Sequence, residues 1–253
     1  MRPNSTKQKV LVGKTAYGVF LPLNSPTIVE MLGYLGFDFV ILDAEHSPID
    51  LESCDHMVRA AECANITSIV RIAMNIRQNI LRYLDMGALG VQIPMVNTKV
   101  EAEAVVESVK YPPVGKRGLA SIRAAGYALT RPLGEYVKEA NQETMVVVQV
   151  ETVQAAENIK EILSVPNIDV IFIGPTDLSS AMGYPGQPSH PEVQKMIMSL
   201  VNQIRAAGKA AGTTAYDLDA LRKCKERGFQ YICYGVGPML LRASREYLQV
   251  AKE

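Results

Sequence analysis

The stretch Met145–Asp177, MVVVQVETVQAAENIKEILSVPNIDVIFIGPTD, contains a complete strand–helix–strand unit. Its two outer runs, Met145–Val150 and Val170–Ile173, are almost continuously apolar, which is typical of parallel strands buried on both faces. Between them, Val153–Leu163 carries apolar residues at three- and four-residue spacing, which predicts a helix. Because parallel strands joined by helices build α/β folds, this stretch determines the fold class.

The same alternation extends along the whole chain. The predicted strands are Tyr17–Leu21, Asp38–Leu42, Ser68–Ile72, Leu89–Ile93, Met145–Val150, Val170–Ile173, Ala210–Thr213 and Tyr231–Tyr234. The predicted helices are Thr27–Leu35, Leu51–Ala64, Arg77–Met86, Lys99–Val109, Val153–Leu163, Pro191–Ala207, Leu218–Arg227 and Pro238–Ala251. Eight strand–helix units predict a single (β/α)₈ TIM barrel over residues 1–253, because such a barrel needs ~250 residues. A doubly wound open sheet is the alternative, although no Gly-x-Gly-x-x-Gly motif follows the first strand.

One long segment interrupts the alternation before the fifth strand. Residues Tyr111–Glu143 contain Tyr-Pro-Pro-Val-Gly-Lys-Arg-Gly but no strand of the regular series. Long excursions between elements are often lids or interface loops. We therefore expect an insertion with one of these roles.

The balance of charged residues excludes several classes of partner. The 253 residues include 26 Lys and Arg and 26 Asp and Glu, whereas a nucleic-acid-binding protein is expected to carry a basic surface. No apolar run approaches the ~20 residues that a membrane-spanning helix needs. The polar N-terminus lacks the apolar core of a signal peptide, and the four cysteines form no Cys-x-x-Cys pair. We therefore expect a cytoplasmic protein without nucleic-acid or membrane partners.

Two carboxylates follow neighbouring predicted strands. Glu151 comes directly after the fifth strand and Asp177 follows the sixth. Active sites of (β/α)₈ barrels lie at the carboxyl ends of the strands, so these side chains are expected to converge. Two carboxylates together with water or substrate oxygens suit Mg²⁺ or Mn²⁺. The alternative is that each residue caps a helix.

Further polar residues lie at the same strand ends. Arg71, near the end of strand three, can bind a carboxylate or an enolate oxygen, or can form a salt bridge to Asp43 or Glu45. Gln149 shares a strand face with Glu151 and is a candidate substrate ligand. The segment Gly174-Pro175-Thr176-Asp177 can direct backbone N–H groups at a carboxylate.

The chain has three histidines, and one of them stands at a strand end. His46 follows Asp43 and Glu45 after strand two, where an imidazole can act as a general base. His56 falls inside a surface helix pattern and His190 stands at a helix start, so both are interpreted as structural residues.

Four motifs in order resemble the HpcH/HpaI aldolase family, the class II metal-dependent aldolases of 2-oxo acids related to citrate-lyase barrels. They are Gly36-Phe-Asp38 leading to Asp43-Ala-Glu-His46, the Tyr111–Gly118 stretch, Gln149-Val-Glu151-Thr152, and Gly174-Pro-Thr-Asp-Leu-Ser179. The likeness runs from about Gly18 to the C-terminal helix.

The resemblance implies a site for pyruvate and a divalent ion, Mg²⁺, Mn²⁺ or Co²⁺. Glu151 and Asp177 match the family's metal ligands, and Arg71 and Gln149 match its pyruvate-binding residues. His46 matches the acid/base histidine of the family. Asp43 and Asp85 match acids that the resemblance implies orient this histidine.

The resemblance also implies a homo-oligomer, a hexamer built as a trimer of dimers, in which the C-terminal helix packs between neighbouring copies. Arg123 is a residue that such an assembly could bring towards a neighbouring site.

The expected activity is the reversible cleavage of a 4-hydroxy-2-oxo acid to pyruvate and an aldehyde. The alternatives are oxaloacetate decarboxylation, or other carbon–carbon bond chemistry on the same enolate, and a catalytically silent barrel that binds 2-oxo acids. Phe20-Leu-Pro-Leu-Asn-Ser-Pro26 departs from the more glycine-rich turns of many relatives, which leaves the aldehyde open. Few basic residues stand nearby, so a phosphorylated or dicarboxylate aldehyde is not obviously accommodated.

Overall fold

Eight parallel strands close into a barrel in the computed structural model, which describes residues 1–253. Each strand pairs with the next along the chain, and the last pairs with the first. The strands are β1 (Ala16–Leu21), β2 (Phe39–Asp43), β3 (Thr67–Arg71), β4 (Gly90–Ile93), β5 (Met145–Val150), β6 (Val170–Ile173), β7 (Ala210–Thr214) and β8 (Tyr231–Gly235). The predicted (β/α)₈ barrel is confirmed, and no predicted strand end differs from the observed one by more than one residue.

Twelve α-helices accompany the strands, and none is long and apolar enough to cross a membrane. They are α1 (Ser5–Leu11), α2 (Pro26–Tyr34), α3 (Leu51–Cys63), α4 (Arg77–Asp85), α5 (Lys99–Val109), α6 (Leu133–Glu143), α7 (Val153–Glu157), α8 (Ile159–Leu163), α9 (Pro175–Ala181), α10 (Pro191–Ala206), α11 (Leu218–Glu226) and α12 (Val236–Ala251).

One predicted helix is interrupted. The stretch Val153–Leu163 forms α7 and α8, which meet at Asn158. The Asn158 side-chain amide donates a hydrogen bond of 2.9 Å to the Asn97 carbonyl. The backbone of Asn158, at φ −85° and ψ 8°, leaves the helical range, so α7 ends and α8 begins there. The prediction of one continuous helix was therefore wrong.

The interior of the barrel changes from apolar to polar along the strands. On the inner face of β2, the apolar Phe39 and Ile41 are followed by Asp43, and on β5 Val147 is followed by Gln149. Residues two apart on a strand share a face, so an apolar layer lies beneath a polar layer. The polar layer stands at the carboxyl ends of the strands.

Aromatic rings fill the apolar layer. The rings of Phe39 and Tyr231 stack with centroids 4.0 Å apart. Gly18 leaves room for this stack, because a Cβ at that position would lie 2.2 Å from the Phe39 ring. The close approach therefore requires glycine on β1.

The opposite end of the barrel is closed. Helix α1 precedes β1 there, and its Val10 belongs to the interior apolar cluster. The Thr6 hydroxyl donates to the Asp38 carbonyl at 3.0 Å and lies 2.9 Å from the Thr67 hydroxyl. Bonds of the Asn4 side chain to Leu89 and Glu143 add to this closure.

The insertion lies at this closed end. It leaves α5 and returns through α6 to the start of β5, and a small core of Tyr111, Ala125, Tyr136 and Ala140 holds it together. Within the single chain the segment packs at the end opposite to the polar layer and does not cover it, so a role as an interface loop is the expectation that stays open.

Helix α12 leaves the barrel surface. From Leu240 onward all of its residues are exposed, including Leu241, Tyr247 and Leu248. These side chains recur at helical spacing and form one apolar stripe. The predicted use of this helix in oligomer packing is compatible with such a surface and stays a prediction.

Lys110 is a buried lysine that ties the insertion to the barrel. Its Nζ donates hydrogen bonds of 2.7 and 2.8 Å to the carbonyls of Asn141 and Thr144. Burial, together with the charge of Lys7, lowers the pKa of Lys110 from 10.5 to about 7. Between these values the folded state holds fewer protons than the unfolded chain, so the free energy of unfolding rises with pH.

We predict that Lys110→Met flattens this pH dependence. From pH 7 to pH 9 the free energy of unfolding should rise in the wild-type protein. The rise in the variant should be smaller by at least about 1 kcal/mol. Denaturant unfolding at several pH values measures the difference, with Lys138→Met, on the exposed face of α6, as the control. Equal pH profiles for wild type and Lys110→Met would contradict the prediction.

Candidate active site

A polar cavity of about 460 Å³ opens at the carboxyl ends of the strands. The predicted site residues His46, Arg71, Gln149 and Asp177 all line it. Gly174, Pro175 and Thr176 line it as well, while Glu151 lies directly behind Gly174. The single chain therefore brings together most of the residues that the sequence predicts.

Arg71 is held by two carboxylates. Its Nε and Nη2 donate to Asp43 at 2.9 and 2.6 Å, and its Nη1 lies 3.3 Å from Glu45 Oε2. The salt bridge weighed as an alternative for Arg71 is thus present. Because the guanidinium also lines the cavity, these contacts fix its position there without excluding a role in binding.

The ion pair changes the titration of both partners. Burial acts to raise the pKa of Asp43, but the hydrogen bond and the charge of Arg71 outweigh it and hold this pKa below its ordinary value. Burial alone would lower the pKa of Arg71, but the hydrogen bond and the charge of Asp43 outweigh burial and raise this pKa above its ordinary value. Both groups are therefore charged at neutral pH.

A buried chain of amides leads to Glu151. Gln92 on β4 donates to Gln149 Oε1 at 2.7 Å, and Gln149 Nε2 donates to Glu151 Oε2. The other Glu151 oxygen accepts the Met95 N–H at 2.8 Å. These bonds fix the orientation of both the amide and the carboxylate.

Two neighbouring carboxylates act on Glu151, and so does the charge of Arg71. Burial raises the pKa of Glu151 despite the hydrogen bonds from Gln149 and Met95, and the charges of Asp177 and Glu45 raise it further. Arg71 is the only Arg or Lys side chain that lines the cavity, and it is already paired. A divalent cation between Glu151 and Asp177 would relieve this excess of negative charge.

The donors present suit a hard cation with an incomplete protein shell. No three His, Cys, Asp or Glu side chains are arranged to hold a metal ion, but the charge of Asp177 acts on Glu151, so two carboxylates stand near each other. Mg²⁺ and similar ions commonly take one or two carboxylates and complete their shell with water and substrate oxygens. The residues therefore fit the predicted ion.

His46 stands at the rim of the cavity. Its side chain is 65% exposed, and its Nε2 lies 3.7 Å from Glu45 Oε2. Asp43, the acid expected to orient this histidine, accepts the His46 backbone N–H at 3.3 Å. Asp43 therefore positions the loop and does not contact the imidazole.

Asp85 lies away from the cavity. It ends α4 just before β4 and forms an ion pair of 2.8 Å with Arg117 of the insertion. Because helices of the barrel run back towards the closed end, the single chain does not bring Asp85 to His46. The prediction that Asp85 orients His46 is not met within one chain.

Two residues at or behind the cavity, Gln92 and Tyr216, were missed in the sequence. Gln92 is paired with Arg71 in the β3–β4 register, and a buried amide in an apolar strand was the available signal. Tyr216, two residues beyond β7, shares a hydrogen bond of 2.8 Å with the Thr176 hydroxyl. Phe20, which begins the segment singled out in the sequence, also lines the cavity, and the centre of its ring lies 4.7 Å from the guanidinium carbon of Arg71.

The sequence is similar to proteins of one known family. The sequence profile of the HpcH/HpaI aldolase/citrate lyase family matches residues 16–243. The chain is 38% identical over 240 residues to the 2-keto-3-deoxy-L-rhamnonate aldolase of Klebsiella pneumoniae, covering 94% of this chain and 88% of that one. It is 36% identical over 244 residues to the hydroxypyruvate/pyruvate aldolase of Pseudomonas aeruginosa, covering 96% and 91%.

A solved structure has the same overall fold. The crystal structure of an HpcH/HpaI aldolase/citrate lyase family protein from Burkholderia cenocepacia superposes with a TM-score of 0.94 at 31% identity. The match covers 99% of this chain and 100% of that chain.

We predict that Gly174→Ala weakens divalent-metal binding. A Cβ at this position would lie 2.7 Å from Glu151 Oε2, so the carboxylate must move from its place beside Met95 and Gln149. Affinity for Mn²⁺ should fall by about tenfold or more, measured by calorimetry or by the electron paramagnetic resonance of free Mn²⁺.

The matched control is Gly134→Ala on α6, where no atom lies within 4 Å of an added Cβ. Thermal unfolding of both variants separates a local change from a loss of fold. Wild-type Mn²⁺ affinity in Gly174→Ala would show that Glu151 does not hold the ion.

Proposed function

The chain belongs to the HpcH/HpaI aldolase/citrate lyase family, and we propose that it is a divalent-metal-dependent aldolase that reversibly cleaves a 4-hydroxy-2-oxo acid to pyruvate and an aldehyde. Its relatives in Klebsiella pneumoniae and Pseudomonas aeruginosa are named aldolases, so a carbon–carbon lyase activity follows from the family. The observation that carries the proposal is the single cavity shared by Arg71, Gln149, Asp177 and His46.

Glu151 and Asp177 would hold the divalent ion, Mg²⁺, Mn²⁺ or Co²⁺. When bound, the ion supplies positive charge that polarises the 2-oxo group of the substrate. The raised pKa of Glu151, caused first by burial and then by neighbouring carboxylates, supports this assignment. A buried carboxylate beside other carboxylates, as Glu151 is, is costly unless a cation neutralises its charge.

Arg71 would stabilise the negative charge that develops during cleavage. Its guanidinium is fixed by Asp43 and Glu45, so it needs no reorganisation when charge appears on the substrate. Fixed donors directed at developing charge are among the largest contributions to catalysis. Gln149 and the segment Gly174–Thr176 would contact the pyruvate portion, since they line the same wall.

His46 would act as the base for the aldol step. It removes the proton of the C4 hydroxyl, the C4 oxygen becomes the aldehyde carbonyl, and the C3–C4 electron pair passes into the enolate of pyruvate. A proton returned to C3 completes pyruvate, and the reverse sequence makes the bond. The position of His46 on the rim supports this role, because C4 lies beyond the pyruvate portion.

We predict that His46→Ala separates two activities of this site. Cleavage of the hydroxy acid should fall by about 10²–10⁴-fold, because a general base contributes that much. Oxaloacetate decarboxylation should change far less, since it forms the same enolate without deprotonating a hydroxyl. Steady-state kinetics with both substrates, before and after treatment with chelator, measures the effects.

The control is His56→Ala, an exposed histidine of α3. In the wild type, chelator should abolish both activities and Mg²⁺ or Mn²⁺ should restore them. Aldol cleavage that is indifferent to chelator would contradict the metal assignment. Equal survival of both activities in His46→Ala would exclude His46 as the aldol base.

The apolar stripe of α12 would pack against another copy of the chain in a homo-oligomer, a hexamer by resemblance. A groove of about 210 Å³ at the barrel surface offers apolar walls, which include Phe37, Leu218, Leu221 and Met239. An exposed apolar helix and an open apolar groove on the same chain support exchange of the helix between copies. A cytoplasmic location also stays a prediction.

We predict that Leu241→Glu lowers the oligomeric state. A charge in the apolar stripe would be buried without a partner, which disfavours association. Light scattering after size exclusion should show a smaller species, whereas Lys252→Glu at the exposed end of α12 should leave the mass unchanged. An unchanged mass for Leu241→Glu would exclude this stripe from the interface.

A further inference from the structure

Gln92 is a buried amide that lies behind the cavity and does not line it. It stands on β4 between Val91 and Ile93, and its side chain is fully buried. Its Oε1 has no hydrogen-bond partner. A buried oxygen without a partner costs stability, which an apolar residue in the same place would avoid. The stability of the barrel alone therefore does not explain a glutamine at this position.

We infer that Gln92 is a positioning residue, which sets the direction of the Gln149 amide towards the 2-oxo acid. Gln92 Nε2 donates to Gln149 Oε1 at 2.7 Å, so the oxygen end of the Gln149 amide is directed at β4. The nitrogen end donates to Glu151 Oε2 and lies beside Gly174, where an added Cβ would stand 3.5 Å from Nε2. The inference rests on the proposed aldolase function, in which Gln149 contacts the pyruvate portion.

The nitrogen end of the Gln149 amide has one N–H left for a ligand. A primary amide carries two N–H donors, and the bond to Glu151 uses one of them. Because Gln149 lines the cavity, the second N–H can donate to an oxygen of pyruvate. With the amide reversed, its oxygen would face the negative charges of Glu151 and of the ligand, and both contacts would be repulsive.

Gln92 and Glu151 favour the same direction of the amide, but only Gln92 stays unchanged when the site is occupied. Under the proposed function the Glu151 oxygens bind a divalent ion, which withdraws electron density and makes them weaker acceptors. Gln92 lies behind the cavity wall, away from the ion and the substrate. Its hydrogen bond therefore keeps the Gln149 amide in place in the occupied site.

The Glu151 carboxylate has a separate support beyond the end of β4. Its other oxygen, Oε1, accepts the Met95 N–H at 2.8 Å, and this bond involves neither glutamine. Loss of Gln92 should therefore impair binding of the 2-oxo acid more than binding of the ion. A general disturbance of the site would impair both.

The test is Gln92→Leu, which removes the donor and keeps a similar side-chain volume. Calorimetry on the Mn²⁺-loaded protein measures the affinity for pyruvate, and the electron paramagnetic resonance of free Mn²⁺ measures metal affinity without pyruvate. We expect the Kd of pyruvate to rise about tenfold and the Kd of Mn²⁺ to change by less than about threefold, because Gln92 supports Gln149 rather than the ion.

Ser68→Ala is the matched control. The Ser68 Oγ is also buried without a partner, and Ser68 lies on the neighbouring strand β3 without a bond to Gln149. This variant should leave both Kd values unchanged. Thermal unfolding checks the fold of each variant, and Gln92→Met takes the place of Gln92→Leu if the latter does not fold. Loss of the fold in both would overturn the inference, because Gln92 would then be a structural residue.

A double-mutant cycle tests whether Gln92 acts through Gln149. In a Gln149→Leu background, Gln92→Leu should raise the Kd of pyruvate no further. Additive effects, a pyruvate Kd in Gln92→Leu within about twofold of wild type, or an equal loss of Mn²⁺ affinity would each overturn the inference while the aldolase function stands. Absence of pyruvate binding by the Mn²⁺-loaded wild-type protein would overturn both.

Discussion

The bidentate ion pair between Arg71 and Asp43 organises the mouth of the barrel. The two residues are register partners on β2 and β3, so the pairing of the strands itself brings the charges together. Both are largely buried, and a charge left alone there would cost several kcal/mol. Asp43 also accepts the backbone N–H groups of Glu45 and His46, so one carboxylate fixes the guanidinium and shapes the loop that carries the histidine. The geometry of the cavity therefore depends on an interaction between strands rather than on its loops.

Much of the fold could be predicted because each strand is buried on both faces and therefore reads as an apolar run. Elements determined by local side-chain bonds were harder to predict. The break at Asn158 coincides with a hydrogen bond to Asn97, which is distant in sequence. The location of Tyr111–Glu143 could not be predicted for a related reason, since the length of a segment does not reveal at which end of the barrel it packs. Its position follows from its attachment between α5 and β5, at the amino ends of the strands.

The site was predictable to the extent that charge stood out against apolar strands. Arg71, Gln149, Glu151 and Asp177 interrupt or follow such runs, and the structure gathers them at one mouth. Gln92 is a buried amide like Gln149, but no carboxylate follows it two residues later on the same strand face, so the sequence does not mark it. Tyr216 gives no such signal, since an aromatic residue beside a strand most often belongs to the core. Asp85 was predicted as a site residue from the family resemblance alone. In the single chain it lies away from the cavity and forms an ion pair with Arg117.

The closure of the barrel at its amino end has a consequence for the order of events. Helix α1 and the insertion block that end, so reactants enter and leave through the mouth alone. Under the proposed function, pyruvate beside Glu151 and Arg71 would lie deeper than an aldehyde at the rim, where His46 stands. A molecule at the bottom of a blind cavity enters first and departs last. The kinetics would then be ordered, with pyruvate the leading substrate in synthesis and a competitive product inhibitor in cleavage.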